Sequence, residues 1–137
     1  MGLGKLVEEL VRPLLLKGSR YVSGGLEPGR AFLRIGVQVG PEPHLFHGVE
    51  VQLWREERRV KAKVVVKVRR GDILNVNAVE LREEEFMELV APLLREIAER
   101  RRLTSTTIEI FTDRVAEVLE GRLELVERWV LPQPGFP

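Results

Sequence analysis

The chain has 137 residues, carries 22 Lys and Arg against 21 Asp and Glu, and has a formal net charge of +1. Its length suits one domain with at most a small appendage, and 44% hydrophobic content excludes a disordered chain. The absence of cysteine excludes disulfides, thiolate metal sites and cysteine nucleophiles, and no run of 18 apolar residues offers a membrane span.

Residues 3–17 begin the reading. Leu3, Leu6, Val7, Leu10, Val11, Leu14 and Leu15 recur at the spacing of one helix face. Pro13 removes a backbone donor inside this stretch, so it either kinks the helix or marks its last turn. No signal-peptide pattern precedes it, and a cytoplasmic location is expected. The Gly-, Ser- and Pro-rich segment 18–29 reads as a loop.

Four alternating runs follow, at 31–39, 45–54, 60–69 and 73–81. Gly40-Pro41-Glu42-Pro43, the charged residues 55–59 and Arg70-Gly71-Asp72 separate them. Period-2 alternation with short turns predicts an antiparallel meander with one buried face. Glu83-Glu84-Glu85 then opens a second helix, with carboxylates at the positive end of its dipole. Its apolar stripe is Phe86, Val90, Leu93, Leu94 and Ile97, and Arg100-Arg101-Arg102 suit its C-terminal end; Pro92 interrupts it without a sequence-level reason. Residues 104–111 are rich in β-branched side chains and suggest a fifth strand, 113–120 look helical, and 122–131 fit strand or helix equally. The tail 132–137 reads as irregular. The expected architecture is an α+β fold: a four-stranded antiparallel meander with helices on one face over residues 1–103, and a helical or strand extension over 104–137 that drives self-association.

Catalytic constellations do not emerge. The two histidines, His44 and His47, flank a Pro-rich turn, and the two aspartates, Asp72 and Asp113, lie far from them in sequence, so neither a metal-ligand set nor a cofactor is expected. Gly24 to Gly29 has the glycine spacing of a phosphate-binding loop. However, Arg30 and Ala31 stand where Lys and Ser/Thr are required, and a strand follows where that motif needs a helix. Ser19, Ser23 and Ser105 lie in no nucleophile elbow. No enzyme is expected.

The sheet carries more information. The face opposite its aliphatic side presents Phe32, Arg34, Gly36, Gln38, Gly48, Glu50, Gln52, Trp54, Lys61, Lys63, Val65, Lys67 and Arg69, joined by Asn75 and Asn77 if the fourth strand keeps register. Residues 54–70 sum to +6, whereas 71–103 and 104–137 each sum to −3. A confined basic patch attracts polyanions even when the whole chain is nearly neutral. Aromatic rings among cations on a flat sheet suit single-stranded nucleic acid, because bases stack on the rings and cations neutralise phosphates. The expected contacts are stacking by Phe32 and Trp54, phosphate contacts by Arg34, Lys61, Lys63, Lys67 and Arg69, and hydrogen bonds to bases or sugars from Gln38, Gln52 and Asn75. Gly36 and Gly48 leave room for a close approach. The competing reading is a solvated face blunted by lysines, or one covered by a neighbouring subunit or by the last third of the chain.

Element order, Phe32, Trp54 and the basic run Val60 to Arg70 carry a family resemblance. Composition adds to it: 19 Glu, 17 Arg, two Asn and three Gln suit a protein that works hot, although the arginine excess equally fits genomic base composition. Over roughly residues 1–102 the chain resembles the ThermoDBP-related single-stranded-DNA-binding proteins of hyperthermophilic archaea. The resemblance implies non-catalytic binding by a homo-oligomer, dimer or tetramer, with little sequence preference. The chain lacks the long heptad coiled coil of the namesake proteins, which implies a different assembly. A protein-interaction or chaperone-like adaptor using the same face is the alternative, and an RNA-binding protein the third.

Overall fold

The computed structural model describes residues 2–132. The chain forms an α+β fold around one antiparallel sheet. That sheet has six strands rather than four: β1 (Val22–Glu27), β2 (Arg30–Gln38), β3 (Phe46–Glu56), β4 (Arg59–Arg70), β5 (Ile73–Arg82) and β6 (Glu124–Val130), in spatial order β1-β2-β3-β4-β5-β6.

The two further strands sit at the edges: β1 lies where the sequence reads as a loop, and β6 takes the strand alternative left open for 122–131. In β1 the glycines that resemble loop punctuation are packing requirements. A Cβ on Gly24 would fall 2.3 Å from the Phe32 carbonyl oxygen and 3.1 Å from the Leu15 side chain. β1 turns into β2 through Pro28-Gly29, with Gly29 at φ 75°. β6 pairs with β5, interrupted by a bulge beside Val76 and Asn77. Strands β2 to β5 lie within a residue or two of the alternating runs.

The N-terminal stretch is helical throughout, as α1 (Leu3–Leu6), a π-helical turn (Val7–Val11) and α2 (Arg12–Leu15). The π turn ends two residues before Pro13 and contains Glu9, the i−4 residue whose carbonyl the proline ring would meet in a regular helix and to which its nitrogen has no proton to donate. Pro92 has a similar local reason. The second helix is two helices, α3 (Glu83–Leu89) and α4 (Ala91–Glu99), joined at Val90, and Pro92 sits in the first turn of α4, where no backbone donor is needed. Residues 104–111 are not a strand. Thr104 caps α5 (Ser105–Val118) by accepting from the Thr107 N–H at 3.2 Å, and Ile108, Phe111, Thr112 and Val115 form its buried stripe. Burial against the sheet overrides the β-propensity of these residues.

The helices cover one face. α5 packs across β2, β3 and β4, and α3 lies against β4 and β5. Leu6, Leu10 and Leu14 join Leu33, Ile35, Val49, Val51 and Val64 from the sheet, with Phe86, Leu94 and Ile108 from the later helices. Each fully buried aliphatic side chain contributes roughly 1.5–3 kcal/mol. Glu85 ties α3 to the segment beyond α5. It accepts from the Arg82 N–H at 3.1 Å and from the Arg122 guanidinium. These bonds, with the Arg82 side chain, hold its carboxyl at about 2.

Residues beyond 103 thus supply a helix to the core and a strand to the sheet. Leu119 and Leu131 are buried within the chain, while Leu125 and Trp129 stay partly exposed. The expectation for 133–137 lies outside the described residues.

Candidate functional site

The strand registers set the face opposite the helices. Phe32 opposes Gln52, Gln52 opposes Lys63, and Lys63 opposes Glu80. Arg30 opposes Trp54, which in turn opposes Lys61. This end of the face is open. Phe32, Gln52, Trp54 and Lys63, with Arg30 and Glu80, line a shallow depression of about 450 Å³. Phe32, Trp54, Lys61 and Lys63 are each half-buried, so rings and lysine stems rest on the sheet while part of each remains reachable. Arg30 is missing from the sequence prediction because the strand was expected to start one residue later.

The other end of the face is closed by the β2–β3 connection folding back over it. Phe46 is buried, with the Arg34 guanidinium 4.4 Å and the Lys67 ammonium 4.2 Å from its ring centre. Arg34 donates to the Pro43 carbonyl at 3.0 Å and stands 3.8 Å from the Glu50 carboxylate. Lys67 donates to the His44 carbonyl at 2.8 Å. Burial pushes the Lys67 ammonium below its ordinary pKa, only partly countered by Glu50. Gln38 donates to the Gly40 carbonyl at 2.8 Å. Leu45, Leu74 and Leu131 form a small apolar cluster nearby.

Five expected contacts are therefore engaged elsewhere. Lys67 and Gln38 hold the covering connection. Arg69 stands at the strand end and donates through Nε to the Gly71 carbonyl at 2.9 Å. Asn75 opposes Val68 on the helix-covered face, and its Oδ1 accepts from Arg128 Nε at 3.0 Å. The fourth strand keeps register, and that register puts Asn75 and Asn77 opposite Val68 and Val66, on the aliphatic side. Arg34 is half-buried, with its guanidinium given to Phe46, Pro43 and Glu50.

The two glycines do not leave an open approach. A Cβ on Gly36 would lie 2.5 Å from the Phe46 ring, so that ring fills the space above Gly36. A Cβ on Gly48 would lie 2.2 Å from the Ile35 carbonyl oxygen. Both are required for packing rather than for a ligand.

A larger groove of about 900 Å³ lies between α5 and the ends of β2, β3 and β4. Its walls include Glu109, Asp113, Glu117 and Glu120 against Arg69 and Arg70, so its charge is mixed. Buried His47 accepts from the Arg69 N–H through Nδ1 at 2.9 Å. Burial lowers its pKa, while Asp113 and Glu109 pull it up and Arg69 down. Among the described residues no group of three or more histidine or carboxylate side chains is placed to hold a metal. Among them, too, no helix is long and apolar enough to cross a membrane. No family model, curated protein or solved structure matches the chain.

Proposed function

We propose that the chain is a non-catalytic single-stranded-DNA-binding protein with little sequence preference, related to the ThermoDBP-related proteins. The observation that supports this is the open depression in which Phe32 and Trp54 stand beside Arg30, Lys61 and Lys63. Each ring that stacks a base contributes roughly 1–3 kcal/mol whatever the base, and the cations neutralise phosphates without reading sequence. Gln52 adds a hydrogen-bonding group within the depression. The binding end is Phe32, Gln52, Trp54, Lys61 and Lys63 with Arg30; the Phe46 end braces it.

Self-association in this reading uses β6. Its outer edge has no strand beside it among the described residues. Leu125, Val126 and Val130 are more than half exposed along it. An unpaired apolar edge is a template for a second strand, and a second copy of the chain supplies one. The same edge is what favours the rival reading, a protein-interaction adaptor.

Fluorescence anisotropy of single- and double-stranded oligonucleotides at two salt concentrations tests the proposal. The expected result is salt-sensitive binding with a preference for single strands. Salt-insensitive binding, or none, removes it in favour of the adaptor.

A further inference from the structure

A second basic surface lies around the edge of the sheet from the depression, built from three separate parts of the sequence. Lys17 ends the N-terminal helical stretch, Arg20 and Tyr21 lead into β1, and Arg101 and Arg102 join α4 to α5. The Lys17 ammonium donates to the Arg100 carbonyl, which holds the first and last of these segments together. With Ser19 and Thr104 they line a groove of about 590 Å³.

This groove continues onto the sheet. An adjoining cavity of about 410 Å³ is lined by Ser23, Arg34, Gly36 and Gln38, and the two share Arg20, Tyr21 and Ser105. Among the described residues no carboxylate lines either. Arg12, Arg82, Arg95, Arg114 and Arg122 each stand against a glutamate. Among the described residues Lys17, Arg20, Arg101 and Arg102 have no such partner. Apart from Arg34, which stands 3.8 Å from the Glu50 carboxylate, the positive charge of this trough is uncompensated in a chain with nearly equal numbers of acids and bases. α5 also begins here with no acidic residue in its first turn, so its dipole adds to the same sign.

The trough also offers a ring. Tyr21 lies beside the Arg20 guanidinium, 5.0 Å from the ring centre, and its hydroxyl accepts from Arg20 at 2.8 Å. Its carbonyl accepts from the Gly36 N–H at 2.9 Å, which fixes Tyr21 beside Gly36 on β2. Phe32 lies four residues earlier on the same strand face. At a strand rise of about 3.3 Å per residue, the two rings are separated by about 13 Å along β2. That is on the order of four nucleotides at the stacked spacing of about 3.4 Å per strand.

We propose that this trough is the continuation of the nucleic-acid path. One single strand lies with its bases on Phe32 and Trp54, passes Arg34, stacks a base on Tyr21, and runs its phosphodiester backbone past Arg20, Lys17, Arg101 and Arg102. The inference rests on the proposed single-strand binding and extends it from a depression to a track. Its occupant is a phosphodiester chain because the walls are mostly cationic and hydroxylic with a stacking ring, and the apolar side chains among them, Leu103 in one cavity and Val37 and Phe46 in the other, are too few for an acyl chain.

The test uses the full chain with oligothymidylates of two and fifteen nucleotides. The double variant Arg101→Ala/Arg102→Ala is expected to weaken the 15-mer about tenfold and to reduce its log-log salt slope by about 1.4, about 0.7 for each lost phosphate contact. Tyr21→Ala is expected to weaken the 15-mer about tenfold through lost stacking. Both variants leave the dinucleotide unchanged, because it is too short to reach from the depression. Arg95→Ala/Arg114→Ala removes the same charge elsewhere and is expected to leave both lengths unchanged; circular dichroism verifies that each variant folds.

An unchanged 15-mer affinity in the trough variants overturns the track, as does equal weakening of both lengths or equal weakening by the control pair. Loss of binding to phosphatidylserine vesicles with oligonucleotide binding intact overturns it in favour of a membrane surface. Trp54→Ala separates the two readings. If it has no effect while the trough variants weaken the 15-mer, the depression is wrong and the trough stands.

Discussion

The Lys67 ammonium sits 4.2 Å from the centre of the Phe46 ring and donates to the His44 carbonyl above it. A lysine expected to meet phosphate is instead the clamp that holds the β2–β3 connection over one end of the sheet. Lys67→Ala is expected to cost about 1–2 kcal/mol of stability, through a lost cation–π contact and an unmet carbonyl, set against relief of a buried charge. Thermal or denaturant unfolding measures it. Oligonucleotide affinity and its salt slope should stay at the wild-type values, and a salt slope lower by about 0.7 would return Lys67 to the binding surface.

Trp54 and Lys63 should behave the other way. Trp54→Ala is expected to weaken oligonucleotide binding by about 1–3 kcal/mol as stacking is lost. Lys63→Ala should lower the log-log salt slope by about 0.7 for one phosphate contact on a single strand. Both are half-buried, so unfolding midpoints should move less than the binding constants. Affinity indifferent to both changes would leave the aromatic depression without a role.

Gly48 faces Gly36 across β2 and β3, where the backbones come close. A Cβ on Gly48 would lie 2.5 Å from the Gly36 Cα as well as against the Ile35 carbonyl, and neither can swing away. Gly48→Ala is expected to destabilise by about 1–3 kcal/mol through overpacking. A variant as stable as wild type in urea would show that the strands can part without cost.

His47 makes stability depend on pH. Its folded pKa lies below the ordinary 6.5 because burial disfavours the imidazolium. Above 6.5 the ring is neutral in both states and its contribution is complete. As pH falls below 6.5 the unfolded chain takes up the proton first, so stability declines until the folded pKa is passed. Protonation also removes the Nδ1 acceptor of the Arg69 N–H. In an NMR titration the Arg69 amide should shift together with the His47 ring, and the acid-side loss of stability should shrink in His47→Gln.

The free edge of β6 predicts a homodimer. Light scattering is expected to find a species of twice the 15.7 kDa chain mass. Val130→Lys, at the most exposed apolar position of that edge, should shift it to monomer. A wild-type mass of 15.7 kDa would leave β6 without a second copy.

Strands β2 to β5 were legible in the sequence because alternation at period 2 needs only the neighbouring residues. The same parity correctly put Phe32, Gln52, Trp54, Lys61 and Lys63 on one face. β1 was hidden because Gly24 satisfies a packing need that arises only when the Phe32 carbonyl and Leu15 come close. The first half of α5 was hidden because Thr106, Thr107 and Ile108 have the composition of a strand, and only burial of Ile108, Phe111 and Val115 against the sheet selects the helix; its second half was read as helical. Pro92 was unexplained because its position in the first turn of α4 depends on the break at Val90.

By itself the sequence determined the fold class, the alternation of the central strands and a +6 concentration of charge between residues 54 and 70. It could not say which of those charges reach solvent. That was decided by the β2–β3 connection, which buries Lys67, while Lys61 and Lys63 stay half-buried beside the Phe32–Trp54 depression. Nor could it join Lys17, Arg20 and Arg101–Arg102, which lie as much as 85 positions apart along the chain. Periodicity is a property of neighbours within one element. A charged trough is a property of chain ends and connections, and exists only once packing has brought them together.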